Sequence, residues 1–385
     1  MTRKEGGCPL RIIQPVHILG IVAIVVLYYL LPTMSNDASA TVAFAAAAIG
    51  TGVAGYIGYR VVSSRGLDAA GAARANPPLR VVITGSSRGL GLMMAREFLE
   101  RGDSVCVNSR CDGCAKACAA GLRCEFANAA PAGQQQVLGI GADVTNADEV
   151  DALAANAAAG FAGHGIDVWI NNAGITQHDK APLHEVPAAT LKAIVSTNLL
   201  GTLYGCRAAI KTMLGQSAPR AGGHVFNMDG AGSSGMSTPT FAAYGATKAG
   251  FPQLLKSLTK ETKGTSVGVH TLSPGMVTTD LLLNGSRTKK VLGIFNILAE
   301  LPETAAAWLV PRVRATALQG GSAASGRYYK FLTRGSVAWR FATAFQRKNR
   351  LVDTESGKVV AARKWGDAPL GFRCEKCAAK KGGEE

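Results

Sequence analysis

The chain has 385 residues, 47% of them apolar, and a formal net charge of +15. That length holds one α/β domain of about 250 residues with appendages and forces no second core. The charge lies in short runs near residues 287–290, 340–350 and 360–380, with no zinc-finger spacing and no aromatic-basic sheet pattern; nucleic acid is therefore not an expected partner, and an anionic membrane surface or plain solvated charge remains.

Residues 1–15 form a tail carrying Arg3, Lys4 and Arg11. From Val16 to Pro32 the chain reads VHILGIVAIVVLYYLLP without a charge, close to the roughly 17–25 residues of a spanning helix. After SND at 35–37, Ala38 to Tyr59 is again uncharged and sets Gly50, Ala54 and Gly58 four apart, a small-residue stripe that lets two membrane helices approach. The pattern predicts a transmembrane hairpin over 16–59. Arg60 and Arg65 follow it, which puts the N-terminus and everything after the hairpin on the same, non-translocated face. The competing reading is a cleaved signal followed by a buried Ala-rich helix. A Gly/Ala/Pro-rich linker closes the region over 60–78.

Beyond the linker, short β-branched runs alternate with helical stretches: RVVIT (80–84), SVCVNS (104–109), VLGIGADV (137–144), DVWINN (167–172), HVFNM (224–228) and VGVHTLS (267–273). Alternation of this kind predicts a Rossmann-type, doubly wound parallel sheet over 79–320, with ligands at the carboxyl ends of the strands. A basic extension, 321–385, follows.

At those ends stand the residues that carry chemistry. TGSSRGLG after the first strand offers Gly85, Ser87, Arg88, Gly89, Leu90 and Gly91, a turn whose missing Cβ atoms let backbone N–H groups and a helix N-terminus meet a pyrophosphate. The second strand ends in Asn108, Ser109 and Arg110 rather than an acid, so a 2′-phosphate is accommodated and NADPH is the expected cofactor. Asp143 and Val144 close the third strand, where a carboxylate accepts an adenine amino group, and Asn172, Ala173 and Gly174 close the fourth. Tyr244 and Lys248 are four apart on a helix, so the ammonium is expected to lower the phenol's pKa and let Tyr244 protonate a carbonyl oxygen.

Taken in order, TGSSRGLG, DV, NNAG, STNLLG, YGATK and SPGMVTT resemble the short-chain dehydrogenase/reductase family over about residues 79–285. The resemblance implies that Asn198 supports Lys248 through water, that Val277 and Thr279 hold the carboxamide, and that Ser233 hydrogen-bonds the substrate oxygen. The last transfer departs from the family, which carries its serine where Ala231 stands here, with Asp229-Gly230 in place of the usual Ser-Ser.

Within that family, HVFNMDGAGSSGMSTPTFAAYGATKAG, VWINNAG, HTLSPGMVTTDLLL and FNILAELPETAAAWLVPR are similar to chlorophyll b reductases of the non-yellow-colouring type. The resemblance implies NADPH-dependent reduction of the C7-formyl of chlorophyll b or chlorophyllide b, at the chloroplast thylakoid membrane with the catalytic domain on the stromal side. An oligomer with itself or with a related reductase is compatible with it. A reductase for another lipophilic carbonyl, such as retinal or a lipid ketone, and a catalytically silent pigment-binding scaffold are the alternatives.

Three further features stay outside this chemistry. Residues 280–309 stand where a substrate lid is built, with Leu281 to Leu283, Phe295, Ile297, Leu298, Leu301 and Trp308 as apolar cover. Phe331, Trp339, Phe341 and Phe345 among basic residues read as an interfacial stretch. Of nine cysteines, Cys111, Cys114, Cys118 and Cys124 cluster and Cys374-x-x-Cys377 lies near the end. CxxC pairs suit zinc or a redox disulfide, but the i, i+3, i+7 spacing of the first three also suits small core residues on a helix; the latter is expected, and no metal.

Overall fold

A computed structural model of the chain describes residues 77–127, 135–216, 223–283, 288–356, 360–361, 363–364, 371–374 and 377. The chain divides into two units, Met1–Ala75 and Asn76–Glu385, and every described residue belongs to the second. The expected hairpin over 16–59 lies outside the described residues. Among the described residues no helix is long and apolar enough to cross a membrane.

The strands are Arg80–Ile83 (β1), Ser104–Ser109 (β2), Val137–Gly141 (β3), Val168–Asn171 (β4), Gly223–Met228 (β5), Val267–Ser273 (β6) and Tyr328–Lys330 (β7). They pair in parallel in the order β3-β2-β1-β4-β5-β6-β7. The expected parallel sheet is therefore present, with β7 as an added edge strand from beyond residue 320. Its three residues, YYK, are too short and too exposed to announce a strand by periodicity.

Side chains along each strand alternate between two apolar layers, as the period of two requires. Val81, Ile83, Val105, Val107, Val168, Ile170 and Phe226 face one layer, which is completed by Gly89–Glu100 (α1), Asp112–Glu125 (α2) and, later in the chain, the helix Pro302–Ala317. Val82, Cys106, Trp169 and Val225 face the other, with Ala147–Gly160 (α3). Ala188–Val195 (α4) runs through a π-helical turn, Ser196–Leu200, into Gly201–Leu214 (α5), which packs in that second layer. Ala242–Ala249 (α6), Phe251–Glu261 (α7), Asp280–Leu283 (α8) and Lys289–Leu298 (α9) follow, then the helix Pro302–Ala317 (α10) and Arg334–Ala342 (α11).

The strand order reverses between β1 and β4. There the loops after the two strands diverge to opposite faces and leave a crevice at their carboxyl ends. That crevice is pinned from inside the second layer. Asn171, buried at the end of β4, accepts from the Trp169 indole N–H at 2.7 Å and donates to Asn227 Oδ1 at 2.8 Å. Helix α5 fits over this bridge because Gly205 has no side chain; a Cβ there would stand 1.9 Å from Asn171 Oδ1.

Gly205→Ala must therefore break the Asn171 bridge or lift α5. We expect a loss of about 2 kcal/mol, as for overpacked cores, and a fall in Tm of about 4–8 °C. An unchanged melting curve would show that α5 is free to move.

Candidate active site

The turn after β1 is built by hydrogen bonds that sequence alone does not reveal. Thr84 Oγ1 accepts from the backbone N–H groups of Asn172 and Ala173 at 3.0 and 3.1 Å, tying the end of β1 to the end of β4. The Asn172 amide donates to the carbonyls of Thr84 and Gly85. Both expected residues, Asn172 and Ala173, thus act first as braces of the crevice. Gly85 and Gly89 adopt positive φ, 61° and 59°, where a side chain is strained. At Gly85 a Cβ would lie 2.9 Å from the Ala173 Cα, and at Gly91 one would lie 2.6 Å from the Asn172 amide nitrogen. Helix α1 begins immediately after Arg88 with no side-chain cap and no acid in its first turn. Its leading N–H groups and positive dipole end are thus directed to the turn. Ser87 is half-buried, Arg88 is exposed, and Leu90 packs on the core below.

Asn108, buried at the end of β2, accepts from Gly85 N–H at 3.2 Å and donates to the carbonyls of Ile140 and Ala142. It holds three strand ends together rather than reaching outward. Arg110, two residues on, is exposed. Asp143 turns one carboxylate oxygen onto the N–H and hydroxyl of Thr145 at 2.9 Å, and Val144 is buried beneath Gly201.

At the other end of the crevice, helix α6 carries Tyr244 and Lys248 onto the end of β5. Lys248 is buried, donates from Nζ to the Met228 carbonyl at 2.9 Å, and stands 4.5 Å from the Phe251 ring and 5.8 Å from that of Tyr244. Burial brings its pKa down to about 8, against the pull of the Asp229 carboxylate. Burial likewise pushes the Tyr244 phenol well above its ordinary range, and the Asp229 charge adds to this. The expectation that Lys248 lowers the Tyr244 pKa is thus reversed here. An ammonium bonded to a carbonyl and standing over the ring, 5.8 Å from its centroid, does not offset the loss of solvent around the hydroxyl.

Asp229-Gly230 now has a structural reason. The Asp229 carboxylate accepts from Gly230 N–H at 2.7 Å and from the Tyr328 hydroxyl of β7. Gly230 lies against the Tyr244 hydroxyl, and a Cβ there would be 2.2 Å from Oη. Ser233 is half-buried and stands beside Tyr328, so the serine expected to meet substrate lies next to the Asp229–Tyr328 pair. Asp229 and Tyr328 were not among the expected site residues; the replacement of Ser-Ser by Asp-Gly was the available signal for the first, and nothing marked the second.

Asn198 sits fully buried in the π turn, as functional residues in such turns often do. It exchanges hydrogen bonds with the backbone of Ile175 at 2.8 and 2.9 Å and donates to Thr247 Oγ1 at 3.3 Å. It therefore reaches the residue next to Lys248. Gly174 passes close by, a Cβ there standing 3.5 Å from Asn198 Oδ1. Across the crevice Val277 is buried and bridged to Glu300, and the Thr279 methyl faces Gly89 at 3.6 Å from where a Cβ would be. Residues expected at the two ends of a dinucleotide thus stand along the carboxyl ends of the strands, with Thr279 beside Gly89 and Asn198 beside Thr247.

The expected lid divides in two. Phe295 is buried with Leu292, Ala299, Leu351 and Val352 in a satellite cluster that Leu301 also joins, while Trp308 lies edge-on to Phe331 and under the Arg312 guanidinium. Leu281 remains exposed, as does Met236 on the loop after β5.

The glycine turn suits a diphosphate: positive-φ glycines open it and α1 presents an uncapped N-terminus. At the other end buried Lys248 has three donors against the single carbonyl described above, which suits a hydroxyl-bearing group. Residues 80–290 match the family described as short chain dehydrogenase. The chain belongs to that family. It is an oxidoreductase of the Rossmann type. Among curated relatives it is 43% identical to "Probable chlorophyll(ide) b reductase NYC1, chloroplastic" of Arabidopsis thaliana over 294 residues, 74% of this chain and 57% of that protein. It is 44% identical to chlorophyll(ide) b reductase NOL, chloroplastic, of Oryza sativa subsp. japonica over 260 residues, 67% of this chain and 72% of that one. A solved 3-oxoacyl-[acyl-carrier protein] reductase from Brucella melitensis, in complex with NAD, matches with a TM-score of 0.55 at 22% identity over 66% of this chain and 96% of that one, which establishes the fold.

Because Gly230 leaves room for the phenol, Gly230→Ala must push the Tyr244 hydroxyl aside. A displacement of about 1 Å at a reacting group costs on the order of a hundredfold. We expect kcat to fall by that order with Tm unchanged; full turnover would show that the phenol tolerates the shift.

Proposed function

We propose that this chain is a membrane-anchored, NADPH-dependent reductase of chlorophyll b or chlorophyllide b, converting the C7-formyl to a hydroxymethyl group. The observation that carries the substrate assignment is 42–44% identity to proteins named chlorophyll(ide) b reductase. Their names also carry the word chloroplastic, which supports a chloroplast location. The hairpin read at 16–59, with basic residues on both flanks, supports attachment to the thylakoid membrane with this domain on the stromal face.

The proposed division of labour follows the groove. NADPH, when bound, supplies the hydride that reaches the formyl carbon. Gly85, Gly89 and Gly91 with the α1 N-terminus receive the diphosphate, and Arg110 with Arg88, both exposed, receives the 2′-phosphate. Lys248 donates to the ribose hydroxyls, and Val277 with Thr279 borders the nicotinamide end. Tyr244 holds the proton that the reduced oxygen must take. A phenol with a raised pKa keeps that proton at neutral pH until a stronger base forms beside it, and the Lys248 cation then balances the phenolate. Hydride at carbon and proton at oxygen complete the alcohol, with no residue of the chain oxidised or reduced. Exposed Met236, on the loop after β5, and Leu281, in α8, offer apolar contact to a large flat ring.

Purified full-length protein with NADPH should bleach the formyl-dependent absorption of chlorophyll b, more slowly with NADH, and Tyr244→Phe should remove this turnover by at least about a hundredfold. Full conversion by Tyr244→Phe would dismiss Tyr244 as the acid, and no conversion by the wild type would dismiss the substrate.

Lys248 supplies a pH test. With its pKa brought down to about 8, it is charged below that pH and neutral above it, so kcat/KM for the coenzyme should fall as pH rises through about 8. The Asp229 carboxylate raises that pKa, hence Asp229→Asn should move the falling limb to lower pH. A limb that stays in place would assign it to another group.

A further inference from the structure

Four cysteines from opposite ends of the domain meet beside the glycine turn. Cys111 precedes α2, Cys114 lies in its first turn, and Cys374 and Cys377 come from the C-terminal segment. All four sulfur atoms lie within 4.8 Å of one another. Cys111 Sγ is 3.5 Å and Cys114 Sγ 3.8 Å from Cys374 Sγ. A disulfide requires about 2.05 Å. Four thiolates about 2.3 Å from a central zinc ion stand about 3.8 Å apart along the edges of a tetrahedron. The observed separations are therefore those of ligands.

Local structure agrees with that geometry. Both halves have the C-x-x-C spacing of structural zinc sites, C-D-G-C and C-E-K-C. The Cys374 N–H donates to Cys114 Sγ at 3.4 Å, the kind of bond that orients a metal thiolate. Gly113, between the first two sulfurs, faces Cys374 so closely that a Cβ would be 3.0 Å from the Cys374 Cβ. The small-core reading of the first three cysteines holds for Cys118, which is buried in the core, but not for Cys111, which is half-buried and turned to the tail.

The tail that supplies the second pair also touches the coenzyme turn. Gly371 pairs antiparallel with Arg88, Phe372 N–H donates to the Ser87 carbonyl at 2.9 Å, and the Phe372 ring lies on Gly121 of α2. We infer that Cys111, Cys114, Cys374 and Cys377 bind one structural zinc ion, which clasps residues 371–374 against the phosphate turn and so supports binding at the adenosine end of the groove. The metal site stands on its own; only its link to coenzyme affinity rests on the NADPH reading.

Metal analysis of the full chain, purified without added metal or chelator, should find one zinc per protein. Cys374→Ser with Cys377→Ser should abolish it, Cys377→His should keep it because imidazole is also a zinc ligand, and Cys124→Ser, at an exposed cysteine outside the cluster, should not change it. Cobalt exchanged into the wild type should give the visible bands of a tetrahedral tetrathiolate. Iron in place of zinc, a mass lowered by disulfide formation, or zinc that survives the double substitution would each overturn the site. In the double variant the Kd for NADPH should rise about tenfold, within the usual range of coupling between two sites, and NADPH should slow zinc release from the wild type. An unchanged Kd with zinc absent would overturn the clasp while leaving the metal in place. Because zinc content and Kd are read without turnover, a wrong substrate assignment leaves both results intact.

Discussion

A primary ammonium taken out of water is the constraint around which this site is arranged. Desolvating such an ion costs several kcal/mol unless the protein returns hydrogen bonds and opposite charge. Lys248 recovers part of that cost from the last carbonyl of β5, from the Phe251 face, and from the Asp229 carboxylate beyond. Each partner fixes a position. The carbonyl requires β5 to end at Met228, the carboxylate requires an acid next, and the Tyr244 hydroxyl leaves room only for glycine after that. On the far side of α6, Thr238 fills the space that a side chain at Gly245 would need, and Asn198 holds Thr247. The helix is thus seated from both flanks, with the phenol against Gly230 and the lysine against Met228.

The crevice between β1 and β4 solves a different problem. Backbone N–H groups have to point at an anion without being consumed by the fold. The side chains nearest the turn do this indirectly, by satisfying the groups that face away from the groove. Thr84 takes the N–H groups of Asn172 and Ala173, and Asn172 and Asn108 occupy the carbonyls and the Gly85 N–H around it. What remains unclaimed by side-chain caps is the first turn of α1. Amides that appear to be ligands by position are, in this arrangement, what frees the ligand.

Much of this was legible because backbone geometry leaves strong marks in sequence. Positive φ at Gly85 and Gly89 demands glycine, alternating burial demands β-branched runs, and one helical turn fixes the spacing of Tyr244 and Lys248. Legibility stopped where contacts join distant parts of the chain through ordinary side chains. Tyr328 reaches Asp229 from a three-residue strand with no pattern of its own. The direction of the Tyr244 shift depends on how much water the folded chain excludes, which spacing cannot express. Cys374 and Cys377 had the right interval, but their partners lie more than two hundred residues earlier, and only the fold could choose Cys111 and Cys114 over Cys118 and Cys124.

The basic C-terminal region shows the same point for charge. Arg340, Arg347 and Arg350 read as a surface run, yet all three pair with Glu300, at 2.9, 3.0 and 2.7 Å. They also donate to the carbonyls of Leu298, Ile297 and Ala299, which end α9. Arginines at the carbonyl end of a helix complement its dipole, so this part of the net charge holds the segment expected as a lid rather than facing a membrane. Farther along, Arg363 meets Glu303 and Lys364 meets Glu97 and Glu100 of α1. The chain beyond residue 320 therefore reaches both ends of the groove: Tyr328 stands behind the acid that faces Tyr244 and Lys248, and Phe372 closes on the turn that precedes α1. A region that reads in sequence as a basic extension packs at both ends of the candidate site, and truncating it would remove the contacts to Asp229 and to the glycine turn together.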